Sequence, residues 1–153
     1  MTEVGPMARF VYSDEYWCDL GDHVFRTEKY GLLYRRLVQE GRVEPGEVLE
    51  PERPSWTELE AVHAPAYLQD LRLGRSTRRT LASEMPLSRD IVDSFRLGAG
   101  GSMLACREAA RAGDMVMNMA GGFHHAFADR AEGFCYINDV AAAAVTTVRS
   151  GAA

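Results

Sequence analysis

The sequence predicts an α/β fold organised on a parallel sheet, and three observations predict it. The first is Met115-Val116-Met117-Asn118-Met119, a short apolar run bounded by Asp114 and Gly121, with the length and composition of a buried strand. The second is its setting. A long helical pattern over residues 88–112 leads into the run and an alanine-rich helical pattern over 140–149 follows, the alternation expected of parallel sheets. The third is the Gly121-Gly122 pair at its end. Glycines there allow a tight or left-handed turn, and the carboxyl ends of strands in an open parallel sheet feed the ligand crevice.

The composition fits a single globular domain spanning residues 1–153. The chain is 46% hydrophobic and 25% charged, and its length allows roughly two-thirds of the unfolded surface to be buried. A net charge of -5 argues against a general nucleic-acid-binding surface. No apolar run is long enough to span a bilayer, and the acidic start Met1-Thr2-Glu3 does not resemble a secretory signal. Cys18, Cys106 and Cys135 are odd in number and lack Cys-x-x-Cys spacing. They read as reduced thiols of a cytoplasmic protein, neither a disulfide framework nor a zinc knuckle.

Taken in order, Phe10-Val11-Tyr12 is a short strand closed by the turn-prone Ser13-Asp14. His23, in the irregular segment that follows, reads as an exposed or capping residue. Over residues 28–40, Leu32, Leu33, Leu37 and Val38 recur at helical spacing with Tyr30 and Tyr34, and Gly41 stands as the C-cap. Residues 48–54 are Pro- and Glu-rich and read as a connector. Thr57-Glu58-Leu59-Glu60 matches a capping box, Thr57 taking an amide and Glu60 reaching back. His63 reads as a packing or capping residue ahead of a helix over 66–73 that Pro65 starts and Gly74 ends. The arginine-rich stretch 72–79 lacks interleaved aromatics and reads as solvated loop, as does 80–86.

Ser88 can cap the long helix, whose inner stripe runs Ile91, Phe95, Gly98, Ser102, Ala105, Ala109 and Ala112. Gly98, Gly100 and Gly101 would each cost roughly 1 kcal/mol in an exposed helix interior. They therefore predict close packing or a kink, and they fall inside the helical pattern, where a phosphate-binding loop does not belong. After the central strand, Asp129-Arg130-Ala131-Glu132 is polar and turn-like, and Asn138 or Asp139 caps the last helix.

The candidate site is His124-His125, directly after the strand and its Gly-Gly turn. Imidazoles move protons near neutral pH. A lone histidine near a core is more often structural, but two in tandem at this place point to a site.

Gly121-Gly122-Phe123-His124-His125-Ala126, followed by Gly133-Phe134-Cys135-Tyr136-Ile137-Asn138-Asp139, resembles the signature of zinc-dependent histone deacetylases, a superfamily that includes bacterial acetoin-utilization and acetylpolyamine amidohydrolase proteins. Phe123 and the Asp129-Arg130 pair look most like class IV-type bacterial deacetylases. Tyr12-Ser13, His23-Val24-Phe25, Val62-His63 and residues 95–104 agree, so the resemblance covers nearly the whole length. Arg26 departs from it, since relatives often carry proline there. The resemblance implies an arginase-like three-layer α/β/α sandwich with a mostly parallel sheet. It also implies a Zn2+ cofactor held by an Asp-x-His pair and a more distant aspartate, with a tyrosine that polarises the acyl carbonyl. None of these stands in the sequence, which stops before the strand expected to carry the first pair. The expectation is therefore an N-terminal portion of a deacetylase domain, with no metal ligand of its own.

By that resemblance His125 is the general base and acid, and His124 stabilises developing charge, held by a carboxylate outside this sequence. Phe134 would form one wall of a channel for an acyl-lysine-like chain, although by itself it reads as a core aromatic. Gly133 would leave room for the substrate, an acetyl-lysine or acetylpolyamine-like amide. Two other readings stand beside this one: a non-catalytic binding or assembly module, and one half of a split enzyme completed by a second chain. Half a parallel sheet leaves an open edge, and open edges invite pairing. A homo-oligomer or a complementing C-terminal portion is the expected partner, and no membrane or direct nucleic-acid partner is expected.

Overall fold

Residues Arg9–Val11 (β1) and Val116–Asn118 (β2) lie side by side as parallel strands, with Phe10 opposite Met117 and Val11 opposite Asn118. This is the sheet of a computed structural model that describes residues 9–151. The Met1-Thr2-Glu3 start lies outside the described residues. Leu49 adds a rung on the far side of β1, donating to the Phe10 carbonyl over 2.8 Å and accepting from Tyr12 N–H over 3.1 Å. The connector of the sequence reading thus contributes to the sheet.

Successive side chains of a strand point to opposite faces, and the two faces are covered by different helices. Asn118 turns to the helix Arg89–Ala112 (numbered α5 below), donating to the Gly98 carbonyl over 2.9 Å. Tyr12, just past the end of β1, stacks at 4.2 Å on Tyr34 of the helix Glu28–Gln39 (α1). The described residues cover only part of the second face. Met115 and Met117 remain 65% and 46% exposed, so the apolar run is not the fully buried strand its composition predicts; of its methionines Met119 is buried. In α1, likewise, Leu32 and Leu33 are exposed although they belong to the apolar stripe, while Tyr30 is buried.

Between these elements come three short helices: Trp56–Leu59 (α2), Pro65–Arg72 (α3) and Arg78–Leu81 (α4). The capping box of α2 starts two residues earlier than the sequence reading places it. Ser55 accepts from Glu58 N–H over 3.1 Å, and the Glu58 carboxylate takes Ser55 N–H over 2.7 Å. Serine at 55 wins over Thr57 because it precedes Trp56, which packs on the core. The segment read as continuous loop contains α4, because Thr80 and Ser83 are fully buried and must satisfy their hydroxyls locally.

Ser88 caps α5 by accepting from Ile91 N–H over 3.2 Å, and Gly113 ends it in the left-handed region at φ +64°. Residues 97–101 are buried on every side. Close packing accounts for the glycines there. A Cβ on Gly100 would sit 1.8 Å from the Glu52 carbonyl oxygen, and one on Gly101 would sit 2.1 Å from the Tyr16 hydroxyl. The last helix, Asp139–Arg149 (α6), packs against α5 through Ala142 and Ala143 and is capped by Asn138, whose side-chain oxygen accepts from Ala141 N–H over 3.0 Å. The main core joins α3, α5 and α6 around Tyr67, Phe95 and Tyr136.

Candidate active site

Beyond β2 the chain turns through Gly121 and Gly122, the latter at φ +80°, and enters the segment carrying both histidines. Phe123 and Ala126 are buried, at 5% and 4% exposure, and pin the segment to the core. His124 and His125, between these two pins, are exposed, their ring centroids 4.2 Å apart. Apolar anchors on either side thus force the imidazoles outward. Nδ1 of His124 lies 2.9 Å from the Gly122 carbonyl. A carbonyl can only accept, so Nδ1 carries the proton.

The backbone of this loop is held from within. The carboxylate of Asp139 accepts from Gly122 N–H over 2.9 Å, from Phe123 N–H over 2.6 Å, and from the Ser102 hydroxyl. Asn138 donates its side-chain amide to the carbonyls of His124 and Ala126, over 3.1 and 3.0 Å. His63 is 2% exposed and links the same parts, Nε2 accepting from Asn138 N–H over 3.0 Å and Nδ1 donating to the Phe127 carbonyl over 2.9 Å. Burial pushes its pKa below the ordinary value, in keeping with a neutral ring. The sequence reading of His63 as a packing residue holds, with a specific object: the histidine loop.

Glu132-Gly133-Phe134-Cys135 forms a two-residue turn closed by reciprocal backbone hydrogen bonds of 3.1 and 2.9 Å. Gly133 at φ +50° and Phe134 at φ +63° give it the positive-φ pair of a type I′ turn. Phenylalanine is an unusual occupant of that region. Its ring meets His23 edge-on at 5.0 Å and Phe25 at 6.2 Å. Gly133 lies against His125, where an added Cβ would stand 3.0 Å from the imidazole Cγ. What the missing side chain makes room for in this structure is the His125 ring. His23 holds its own local turn, Nδ1 accepting from Phe25 N–H over 3.0 Å.

The fold thus brings His124, His125 and Gly133, with Phe134 beside it, to one place. Sequence reasoning missed Ser102 and Asp139 as parts of that place. Two polar residues, Asn138 and Asp139, open the alanine-rich helix where one cap suffices, and the surplus acid was the available signal. The three cysteines are unpaired. Burial raises the pKa values of Cys18 and Cys135, which marks them as packing thiols. Among the described residues no group of three or more His, Cys, Asp or Glu is placed to hold a metal ion, and no helix is long and apolar enough to cross a membrane.

Fold and site together define a parallel α/β protein with a histidine-bearing loop at the carboxyl end of a strand. The chain belongs to the histone deacetylase domain family, which matches residues 23–152. It is 34% identical over 148 residues to an uncharacterized protein of Picosynechococcus sp., covering 94% of this chain and 48% of that one. It is 32% identical to histone deacetylase 2 of Arabidopsis thaliana, with coverage of 77% and 32%, and 28% identical to acetoin utilization protein AcuC of Bacillus subtilis, with 88% and 38%. Among solved structures, an HDAC homolog complexed with SAHA superposes with a TM-score of 0.81 at 23% identity, over 95% of this chain and 42% of that one. An HDAC homolog from Aquifex aeolicus gives 0.80 at 24%, over 94% and 41%. The chain spans about half the length, or less, of these relatives. The resemblance read from residues 121–139 and the arginase/deacetylase fold class are both borne out.

Proposed function

We propose that the chain forms the N-terminal portion of a zinc-dependent amidohydrolase domain, removing acyl groups from acetyl-lysine or acetylpolyamine-like amides. The observation that carries this reading is the exposed His124-His125 pair, held on a clamped loop with His125 packed against the Gly133-Phe134 turn. Hydrolysis joins a water oxygen to the acyl carbon and breaks the carbon–nitrogen bond. His125 takes one water proton and delivers it to the leaving amine, and His124 stabilises the charge that develops on the way. Phe134 and Gly133 border the path of the acyl chain. The expected Zn2+ would hold the water and polarise the acyl carbonyl, and on this reading its ligands lie in the remainder of the domain. A cytoplasmic, reducing setting accords with the three free cysteines.

The test is amine release from an acetyl-lysine peptide and from an acetylated polyamine, by this chain joined in cis or in trans to the remainder of a family domain. No zinc-dependent release from either substrate overturns the reading. Pairing with a second chain, a complementing portion or another copy, is supported by a specific feature. β2 pairs only with β1 among the described residues, and Met115, Met117, Val140 and Val148 are exposed.

A further inference from the structure

Asp139 is completely buried, yet it forms no ion pair among the described residues. A carboxylate in that position is expensive unless its oxygens are hydrogen-bonded. It is not required as a helix cap, because Asn138 already fills that place. Both its oxygens are directed away from α6: Oδ1 takes Phe123 N–H, and Oδ2 takes Gly122 N–H and the Ser102 hydroxyl. Even the shape of the loop is fitted to it, since a Cβ on Gly121 would stand 2.7 Å from Oδ2. Each of its two oxygens takes a backbone N–H, which a carboxamide, with a single acceptor oxygen, cannot reproduce.

We propose that Asp139 is a positioning residue for the histidine pair: its buried carboxylate fixes the backbone at Gly122 and Phe123 and so sets where the His124 and His125 imidazoles stand. The proposal rests on the reading of those histidines as the proton-handling pair. Ser102 orients the carboxylate, and is itself oriented by Asn118, whose side-chain amide donates to the Ser102 oxygen over 3.1 Å.

Asp139→Asn keeps the shape and turns one acceptor into a donor. In the 153-residue chain, amide hydrogen exchange at Gly122 and Phe123 should accelerate at least about tenfold, the worth of a hydrogen bond to a charged group. The ring 15N resonances of His124 and His125 should move while those of His23 stay. Thr147→Val, on the same helix and also buried, should reproduce none of this at matched thermal stability. If Asp139→Asn does not fold, Ser102→Ala decides, with a smaller acceleration expected at Gly122. Protection and ring shifts like those of the wild type, in whichever variant folds, overturn the proposal. These readouts need no substrate, so the deacetylase reading can fail without them. If the joined domain hydrolyses amides, Asp139→Asn should lower kcat and leave KM nearly unchanged.

Discussion

The backbone N–H of Asn138 donates to Nε2 of His63 over 3.0 Å, joining the start of α6 to a ring that lies 75 residues earlier in the chain. Because an N–H can only donate, that nitrogen must be unprotonated, and the ring is locked in the neutral Nδ1–H form.

A pH dependence follows. Burial holds the His63 pKa below 6.5 in the folded chain, so the unfolded chain binds the proton more readily. Its contribution to stability is complete above about pH 6.5 and is lost as pH falls toward the folded value. Thermal melts from about pH 7.5 to about pH 5.5 should show this decline. His63→Ala should flatten it and be about 2–4 kcal/mol less stable at the upper end, having lost two hydrogen bonds and a filled interior site. Equal slopes in both proteins would contradict the assignment.

Gly133→Ala should cost about 1–2 kcal/mol and displace the His125 ring, because the residue combines φ +50° with a clash 3.0 Å from Cγ. Gly41→Ala supplies the comparison: φ +63° but nothing within 4 Å. It should cost about 1 kcal/mol, from the backbone alone, and leave the His125 resonances where they were. Histidine chemical shifts separate the two.

Phe134 is held in the left-handed region at φ +63°, at a cost of order 1–3 kcal/mol. Phe134→Asn relieves that strain while losing a half-buried ring, so the net change in denaturant stability should stay within about 1 kcal/mol. Phe95→Ala, at a 2% exposed core position, should cost about 3–5 kcal/mol. A large loss at 134 would mean the ring serves the core first.

The glycines of α5 should separate by what a methyl group meets. Gly98→Ala encounters the Phe123 ring at 3.1 Å and should be tolerated within about 1 kcal/mol, the ring yielding and alanine favouring the helix. Gly100→Ala drives into the Glu52 backbone at 1.8 Å and should destabilise by about 3 kcal/mol or more. Equilibrium unfolding of the two variants tests the order.

In the joined enzyme, His125→Ala should lose about 10²–10⁴-fold in kcat with zinc content unchanged. His124→Ala should be impaired as well. Phe134→Ala should chiefly raise KM, the mark of lost uniform binding. Near-normal turnover of His125→Ala with zinc bound would move the catalytic role elsewhere.

Much of this protein was legible in the sequence because it is decided within a few residues. Ser88 and Gly113 bound α5, Pro65 and Gly74 bound α3, and the Gly121-Gly122 turn into His124-His125 needs only local backbone chemistry. The α–β–α alternation carried the parallel sense of the sheet, while the pairing of β1 with β2 came only with the fold. What the tertiary structure alone decided is which side chains face what. Met115 and Met117 look as apolar as Met119, but burial belongs to the neighbours that cover a face. The small residues 98, 100 and 101 read alike, while their close contacts come separately from Phe123, the Glu52 backbone and Tyr16. Asp139 is the clearest case: in sequence it is one of two polar residues at a helix start. Only folding brings the amides of Gly122 and Phe123 and the hydroxyl of Ser102 onto its carboxylate, because donors 16, 17 and 37 residues away can converge only through packing.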